Sequence, residues 1–146
     1  MKIFLASDHA GYELKNKLAA FLSSNYDVHD LGPYEYDSLD DYPDLIIPAA
    51  LEVSKDNKSR GIIIGGSGQG EAIVANRIKG VRAAMYYGGN IDIVELSRTH
   101  NNANILSLGA RFISFDEACD CIKIWLSSDF EGGRHQNRIE KIDSLT

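Results

Sequence analysis

The heptad Gly65-Gly66-Ser67-Gly68-Gln69-Gly70-Glu71 holds the densest chemical potential in this sequence. It joins an apolar run, Gly61 to Gly65, to a stretch with helical spacing that begins at Glu71. Backbone amides of Gly66, Ser67, Gly68, Gln69 and Gly70, together with the helix N-terminus, make a nest for a small anion. Familiar glycine signatures do not fit. The dinucleotide fingerprint needs a glycine where Glu71 stands, and the P-loop needs a lysine there. The nucleophile elbow needs a glycine at Gln69. What remains is a donor-rich loop with a carboxylate at a helix start, where the helix dipole favours its ionised form. A carboxylate base beside amide donors suits proton abstraction next to a carbonyl, with the amides holding the developing oxyanion. The plainer alternatives are a helix-start charge at Glu71, a tight turn at the glycines, and a loop or capping hydroxyl at Ser67.

Other candidates stand just after apolar runs. Asp8 and His9 follow the first run, as a helix cap and a surface residue or as site residues. Arg111 follows the last run, with a loop salt bridge as its ordinary alternative. His100 and Asn101 end a helical stretch, where a histidine also serves as a charge complementing the dipole. Arg134 and Arg138 share a helix face at the i, i+4 spacing. A phosphate would neutralise and fork between them, although Glu131 is also placed to pair with Arg134. His29 and His135 receive no role.

These residues need a scaffold. The 146 residues are 44% hydrophobic and 25% charged, the composition of one ordinary globular domain. Lys and Arg total 15 against 21 Asp and Glu, a net charge of −6 that argues against a general nucleic-acid or anionic-membrane binder. No apolar run reaches the ~18 residues of a membrane span, and Ile3 to Ala6 is too short for a signal peptide. Cys119 and Cys121 are two apart, the wrong spacing for a redox pair or zinc knuckle, and read as reduced, packed thiols of a cytoplasmic protein.

Strands are expected at Ile3–Ala6, around Val28, at Gly61–Gly65, Val81–Tyr86 and Ile105–Leu108. Helices are expected at Tyr12–Ser23, Leu45–Val53, Glu71–Lys79, Ile91–Thr99, Asp116–Ser127 and Arg134–Ile142. Pro43 suits a first helical turn, and Pro48 either kinks its helix or lies near its start. Strands without polar alternation, separated by helices, predict a Rossmann-like, doubly wound α/β fold with a five-stranded parallel sheet and helices on both faces. In that fold the ligand crevice lies beyond the carboxyl ends of the strands, where the candidates above stand.

Taken together, Ser7-Asp8-His9-Ala10-Gly11, Gly65 to Glu71 with Ala75-Asn76-Arg77, Ser97 to Asn101, Leu108 to Arg111 and Glu131 to Arg138 resemble the type B ribose-5-phosphate isomerases and their galactose-6-phosphate isomerase relatives. The resemblance spans nearly the whole chain. It implies a homodimer or dimer of dimers with sites at the subunit interface, the last helix reaching the partner. It implies metal- and cofactor-free interconversion of ribose 5-phosphate and ribulose 5-phosphate, a pentose phosphate pathway step, through a cis-enediolate. Some members carry a cysteine base where Gly65 stands, so this chain resembles the subgroup whose base is a glutamate at Glu71. His100 matches the ring-opening residue, and Ser67 the hydroxyl that shuttles a proton between two oxygens. Asp8, His9, Asn101, Arg111, Arg134 and Arg138 match substrate- or phosphate-binding positions. Galactose or allose 6-phosphate isomerisation, or silent sugar-phosphate binding, are the alternatives.

Overall fold

Side chains alternate along each central strand, and both sides are apolar, so each strand must be covered twice. In the computed structural model, which describes residues 1–145, this is how the chain folds. Five strands, β1 (Lys2–Ser7), β2 (Asp27–Asp30), β3 (Arg60–Gly65), β4 (Ala83–Tyr86) and β5 (Ile105–Gly109), form one sheet in the order β2-β1-β3-β5-β4. Every pairing is parallel. The helices are α1 (Tyr12–Leu22), α2 (Tyr42–Lys55), α3 (Gln69–Ala75), α4 (Asp92–Thr99), α5 (Phe115–Ser127) and α6 (Arg134–Asp143).

Alternation sorts the core into two layers. Ile3, Leu5, Ile62, Ile64, Leu106 and Leu108 meet α1, α4 and α5 on one face. Phe4, Ala6, Ile63 and Ile105 meet α2 and α3 on the other. The expected two-sided sheet is therefore present. Cys119 and Cys121 are free and buried on α5, and burial pushes the Cys121 thiol up to about 12. No helix among the described residues is long and apolar enough to cross a membrane.

Two expected elements are shorter than the sequence pattern suggested, and asparagines are the reason. The helix expected to reach Lys79 stops at Ala75, because Asn76 turns its side chain to the Ala83 backbone, accepting its N–H and donating to its carbonyl. The strand expected from Val81 begins at Ala83. Asn104 accepts the Arg82 N–H at 2.8 Å and donates to the Gly80 carbonyl at 2.8 Å, diverting backbone groups that would extend the ladder. Helix α2 starts earlier than expected, with Pro43 in its first turn and Pro48 inside it.

One close approach fixes where the first crevice residues stand. Asp8 caps a single 3-10 turn, His9–Gly11, by accepting the Gly11 N–H. A Cβ at Gly11 would stand 2.6 Å from the Ile64 side chain and 2.7 Å from its carbonyl oxygen. Gly11→Ala should therefore push the turn off β3. Chemical denaturation should show a loss of roughly 1–3 kcal/mol, the usual cost of overpacking a tight site; wild-type stability would show that this contact yields freely.

Candidate active site

The order β2-β1-β3 reverses direction at β1 and β3, and the loops after those two strands open a crevice there. Glu71 lies in the first turn of α3 and is 4% exposed. Its carboxylate folds back over Gly65: a Cβ built on Gly65 would fall on both carboxylate oxygens. Burial raises the Glu71 pKa, a hydrogen bond from its own backbone N–H opposes that rise, and the nearby Asp8 carboxylate adds to it. The helix start was expected to favour the ionised form; burial outweighs it. A carboxyl whose pKa is raised toward working pH is a better base when ionised than an ordinary glutamate.

The glycine loop is pinned on every side. Ala110 and Arg111 donate their N–H groups to the Gly65 and Gly66 carbonyls at 2.8 and 3.1 Å. The buried Ser107 hydroxyl donates to the Gly68 carbonyl at 2.6 Å. Gly68 has φ +78°, so a side chain there would be strained. The Arg111 guanidinium lies flat against Gly66, and the Tyr42 ring packs on Gly70. Ser67 is a loop hydroxyl, accepting the Gln69 N–H at 3.3 Å, and Gly68 rather than Ser67 takes the capping position of α3.

His9 and Arg111 line an adjoining cleft of about 540 Å³ with Tyr12 and Tyr36. His9 Nδ1 stands 2.6 Å from Asp40 Oδ1, and the same oxygen accepts the His9 backbone N–H at 3.2 Å. A carboxylate accepts only, so Nδ1 carries the proton and Nε2 is left for a ligand. The hydrogen bond to Asp40 raises the His9 pKa above 6.5, with burial opposing it and Asp8 assisting. Asp40 was missed in the sequence because it is one of four aspartates between 37 and 44, and nothing in their spacing marks it out.

The remaining candidates form a second group at the far edge of the sheet. His100 caps α4, and its ring stacks on that of His135 with centroids 4.3 Å apart and planes 14° from parallel. Glu131 approaches both rings, 3.9 Å from His100 Nε2 and 3.7 Å from His135 Nε2, instead of pairing with Arg134. Burial lowers the His135 pKa, with His100 and then the nearby Arg134 and Arg138 assisting and Glu131 opposing. Asn101 lines a shallow apolar hollow with Met85, Ile93 and Leu96 beside β4. Arg111, Arg134 and Arg138 have no carboxylate partner among the described residues. No hydrogen bond or ion pair among the described residues joins the two groups. The crevice thus gathers Asp8, His9, the loop from Gly66 to Gly70, Glu71 and Arg111. His100, Arg134 and Arg138 gather elsewhere.

The His9–Asp40 contact makes a measurable demand. A group with a raised folded pKa contributes stability that is complete below its unfolded value and fades as pH rises through the folded one. In a histidine NMR titration the His9 midpoint should lie above 6.5 and fall in Asp40→Asn. That variant should lose more stability at mildly acidic than at alkaline pH. An unmoved midpoint would remove Asp40 from the site.

Comparison with known proteins bears on both groups. A sequence model of the ribose/galactose isomerase family matches residues 3–142. The chain is 43% identical over 142 residues to a probable ribose-5-phosphate isomerase B of Mycoplasma genitalium, covering 96% of this chain and 92% of that one. It is 39% identical to ribose-5-phosphate isomerase B of Mycolicibacterium paratuberculosis, covering 96% and 88%. Among solved structures, the Mycoplasma genitalium ribose-5-phosphate isomerase B with bound ribulose-5-phosphate superposes with a TM-score of 0.94 at 41% identity, covering 99% and 95%. The Clostridium thermocellum ribose-5-phosphate isomerase B gives 0.91 at 44% identity, covering 99% and 97%. With a family match over nearly its full length and relatives this similar, the chain belongs to the ribose/galactose isomerase family.

Proposed function

We propose that this protein is an aldose–ketose isomerase that interconverts ribose 5-phosphate and ribulose 5-phosphate in the cytoplasm, with Glu71 as the base. The observation that carries the chemistry is the Glu71 carboxylate, buried and seated over Gly65 at the mouth of an amide-lined loop. Relatives named ribose-5-phosphate isomerase B, one of them solved with ribulose-5-phosphate, support the pentose reading over galactose or allose 6-phosphate.

With the sugar open, the ionised Glu71 carboxylate takes the C2 proton, and the electron pair forms the C1–C2 double bond of a cis-enediolate. Negative charge collects on O1, where the loop amides from Gly66 to Gly70 stabilise it. Ser67 passes the O2 proton to O1, Glu71 returns its proton to C1, and O2 becomes the ketone oxygen. Asp8 is near enough to raise the Glu71 pKa and so to shape the base. Ring opening needs an acid–base group of near-neutral pKa, and His100 is the candidate. His9, Arg111, Arg134 and Arg138 supply the phosphate cations, and Asn101 binds the sugar.

His100, Arg134 and Arg138 belong to this chemistry if they serve a partner's crevice, and we infer a homodimer or higher assembly with shared sites. Three observations support it. The two residue groups are separate within one chain. Helix α6 buries only His135 and Ile139 against its own subunit. Ile93 and Leu96 on α4 expose apolar surface beside the edge strand β4.

A substrate panel of pentose and hexose phosphates, compared by kcat/KM, tests the activity. Preference for a hexose 6-phosphate would overturn the pentose reading. Glu71→Gln should lower kcat by at least ~10²–10⁴-fold, the range for acid–base groups. Because burial raises its pKa, the ionised carboxylate costs stability above the ordinary carboxyl range, so this variant should melt at or above the wild-type temperature at neutral pH. A large fall in melting temperature would point to a structural role instead. Acid should abolish turnover at a pH above the ordinary glutamate range, following the raised Glu71 pKa.

Shared sites are tested by mixing two inactive proteins, Glu71→Gln and Arg134→Ala/Arg138→Ala, under subunit exchange. A mixed dimer holds one site with both lesions and one intact, so activity should return. Continued inactivity with heterodimers demonstrably present would place the arginines in their own chain's site.

A further inference from the structure

The candidates at the far edge hang on two segments, the turn from His100 to Ala103 and the arm from Ser128 to Asp143, and two arginines join those segments. We propose that Arg98 and Arg82 are positioning residues: they fasten the two ends of the arm to Asn102, so that His100 and Asn101 are held in register with Arg134, His135 and Arg138. The catalytic value of this fastening rests on the roles proposed above for His100 and the two phosphate arginines. Arg98 lies in the last turn of α4 and is 4% exposed. Its Nη1 donates to the Asn102 side-chain oxygen at 2.8 Å and to the Ala103 carbonyl at 2.7 Å. Its Nε donates to the Ser128 carbonyl at 3.3 Å, where the arm begins. Arg82, just ahead of β4, donates from Nε to the Asn102 carbonyl at 3.1 Å. Its Nη1 donates to both Asp143 carboxylate oxygens at 3.3 Å, where the arm ends. Between these two points the Glu131 N–H donates to the Thr99 carbonyl at 3.0 Å.

Asn102 is thus held by one arginine through its side chain and by the other through its main chain. Its φ is +46°, the one positive value at a non-glycine among the described residues. Asparagine tolerates that conformation better than most residues do, and the two clasps hold it there. General stabilisation does not account for an arginine at 98. It is a buried cation whose hydrogen bonds all go to uncharged oxygens. Burial, with Arg60 and Arg82 adding and Asp129 opposing, brings its pKa down to about 10, so it is still charged at neutral pH. Burying such a charge costs free energy. In return the guanidinium supplies a rigid fork of donors, which reaches residues 102, 103 and 128 at once. The arm needs fastening, because α6 buries only His135 and Ile139 against its own subunit.

Geometry and catalysis are tested separately. Asn102→Gly and Asn102→Asp both accept positive φ, and only aspartate keeps a side-chain oxygen for Arg98. The His100 and His135 rings stack at 4.3 Å, so each shifts the other's ring protons in the NMR spectrum. Those resonances should move in Arg98→Lys and Asn102→Gly and stay close to wild type in Asn102→Asp. Asn102 is half-buried, so its variants keep the test meaningful if Arg98→Lys folds poorly. Unmoved resonances in Asn102→Gly, or equal shifts in the two Asn102 variants, would overturn the fastening. In turnover, Arg98→Lys and Asn102→Gly should lower kcat for ribose 5-phosphate by about ten- to a hundredfold, the cost of misplacing a catalytic group by up to an ångström. Open-chain ribulose 5-phosphate should lose less. In the His100→Asn background Arg98→Lys should cause no further fall in kcat for ribose 5-phosphate, since the two lesions remove one function; full additivity would overturn the positioning role. Moved resonances with ribose 5-phosphate turnover untouched would uphold the fastening and refute the role of His100.

Discussion

A carboxylate occupies the space above residue 65 only because that residue has no Cβ. The carboxylate of Glu71 and any side chain at 65 compete for one volume. A cysteine at 65, which the family resemblance associates with another branch, would displace the glutamate, so the two side chains are steric alternatives rather than partners. The same seat buries the carboxylate, and burial raises its pKa. Position and basicity thus follow from one missing methylene-sized volume. Basicity carries a cost, since an ionised carboxylate held away from water is less stable than a neutral one in the same place.

The loop must be rigid for that seat to be worth having, because a mobile nest would lose the fixed dipoles that favour an oxyanion. Rigidity here comes from β5 as much as from β3. Residues 110 and 111 clamp the carbonyls of Gly65 and Gly66, and Ser107 clamps that of Gly68. These carbonyls are turned back into the fold, and of the loop amides that of Gln69 is taken by the Ser67 hydroxyl. Gly109 completes the arrangement: a Cβ there would stand 2.7 Å from the Ser67 carbonyl oxygen. The glycines of the two loops therefore permit two backbones to approach, and not merely to turn.

The sheet was legible because Ile3 to Ala6 and Ile62 to Ile64 are apolar at every position, and Ile105 to Leu108 at every position but Ser107, the pattern of strands covered on both faces. Helix and strand ends were less legible wherever an asparagine side chain took over backbone hydrogen bonds, as Asn76 and Asn104 do. Glu71, His9 and Arg111 were readable from their places after strands. Asp40 was not, since its role depends on a long loop folding back onto the first crevice turn, 31 residues away in sequence. In the sequence Glu131 stood as an alternative partner for Arg134, three residues on, beside a phosphate between the two arginines. Two glycines with positive φ redirect it to His100 and His135. Local spacing does not encode such a turn of the chain.

The separation of the two residue groups has a further physical meaning. The crevice side carries carboxylates at Asp8, Asp40 and Glu71, offset within the subunit by His9 and Arg111. The far edge carries Arg134 and Arg138 without acidic partners among the described residues. Bringing such an edge against such a crevice is electrostatically favourable before any substrate arrives, and a doubly charged phosphate between the arginines removes their mutual repulsion. In a shared-site assembly, substrate and partner would then stabilise each other through the same two guanidinium groups. By linkage, whatever tightened such an assembly would tighten phosphate binding equally, and α6 would then need little packing against its own subunit.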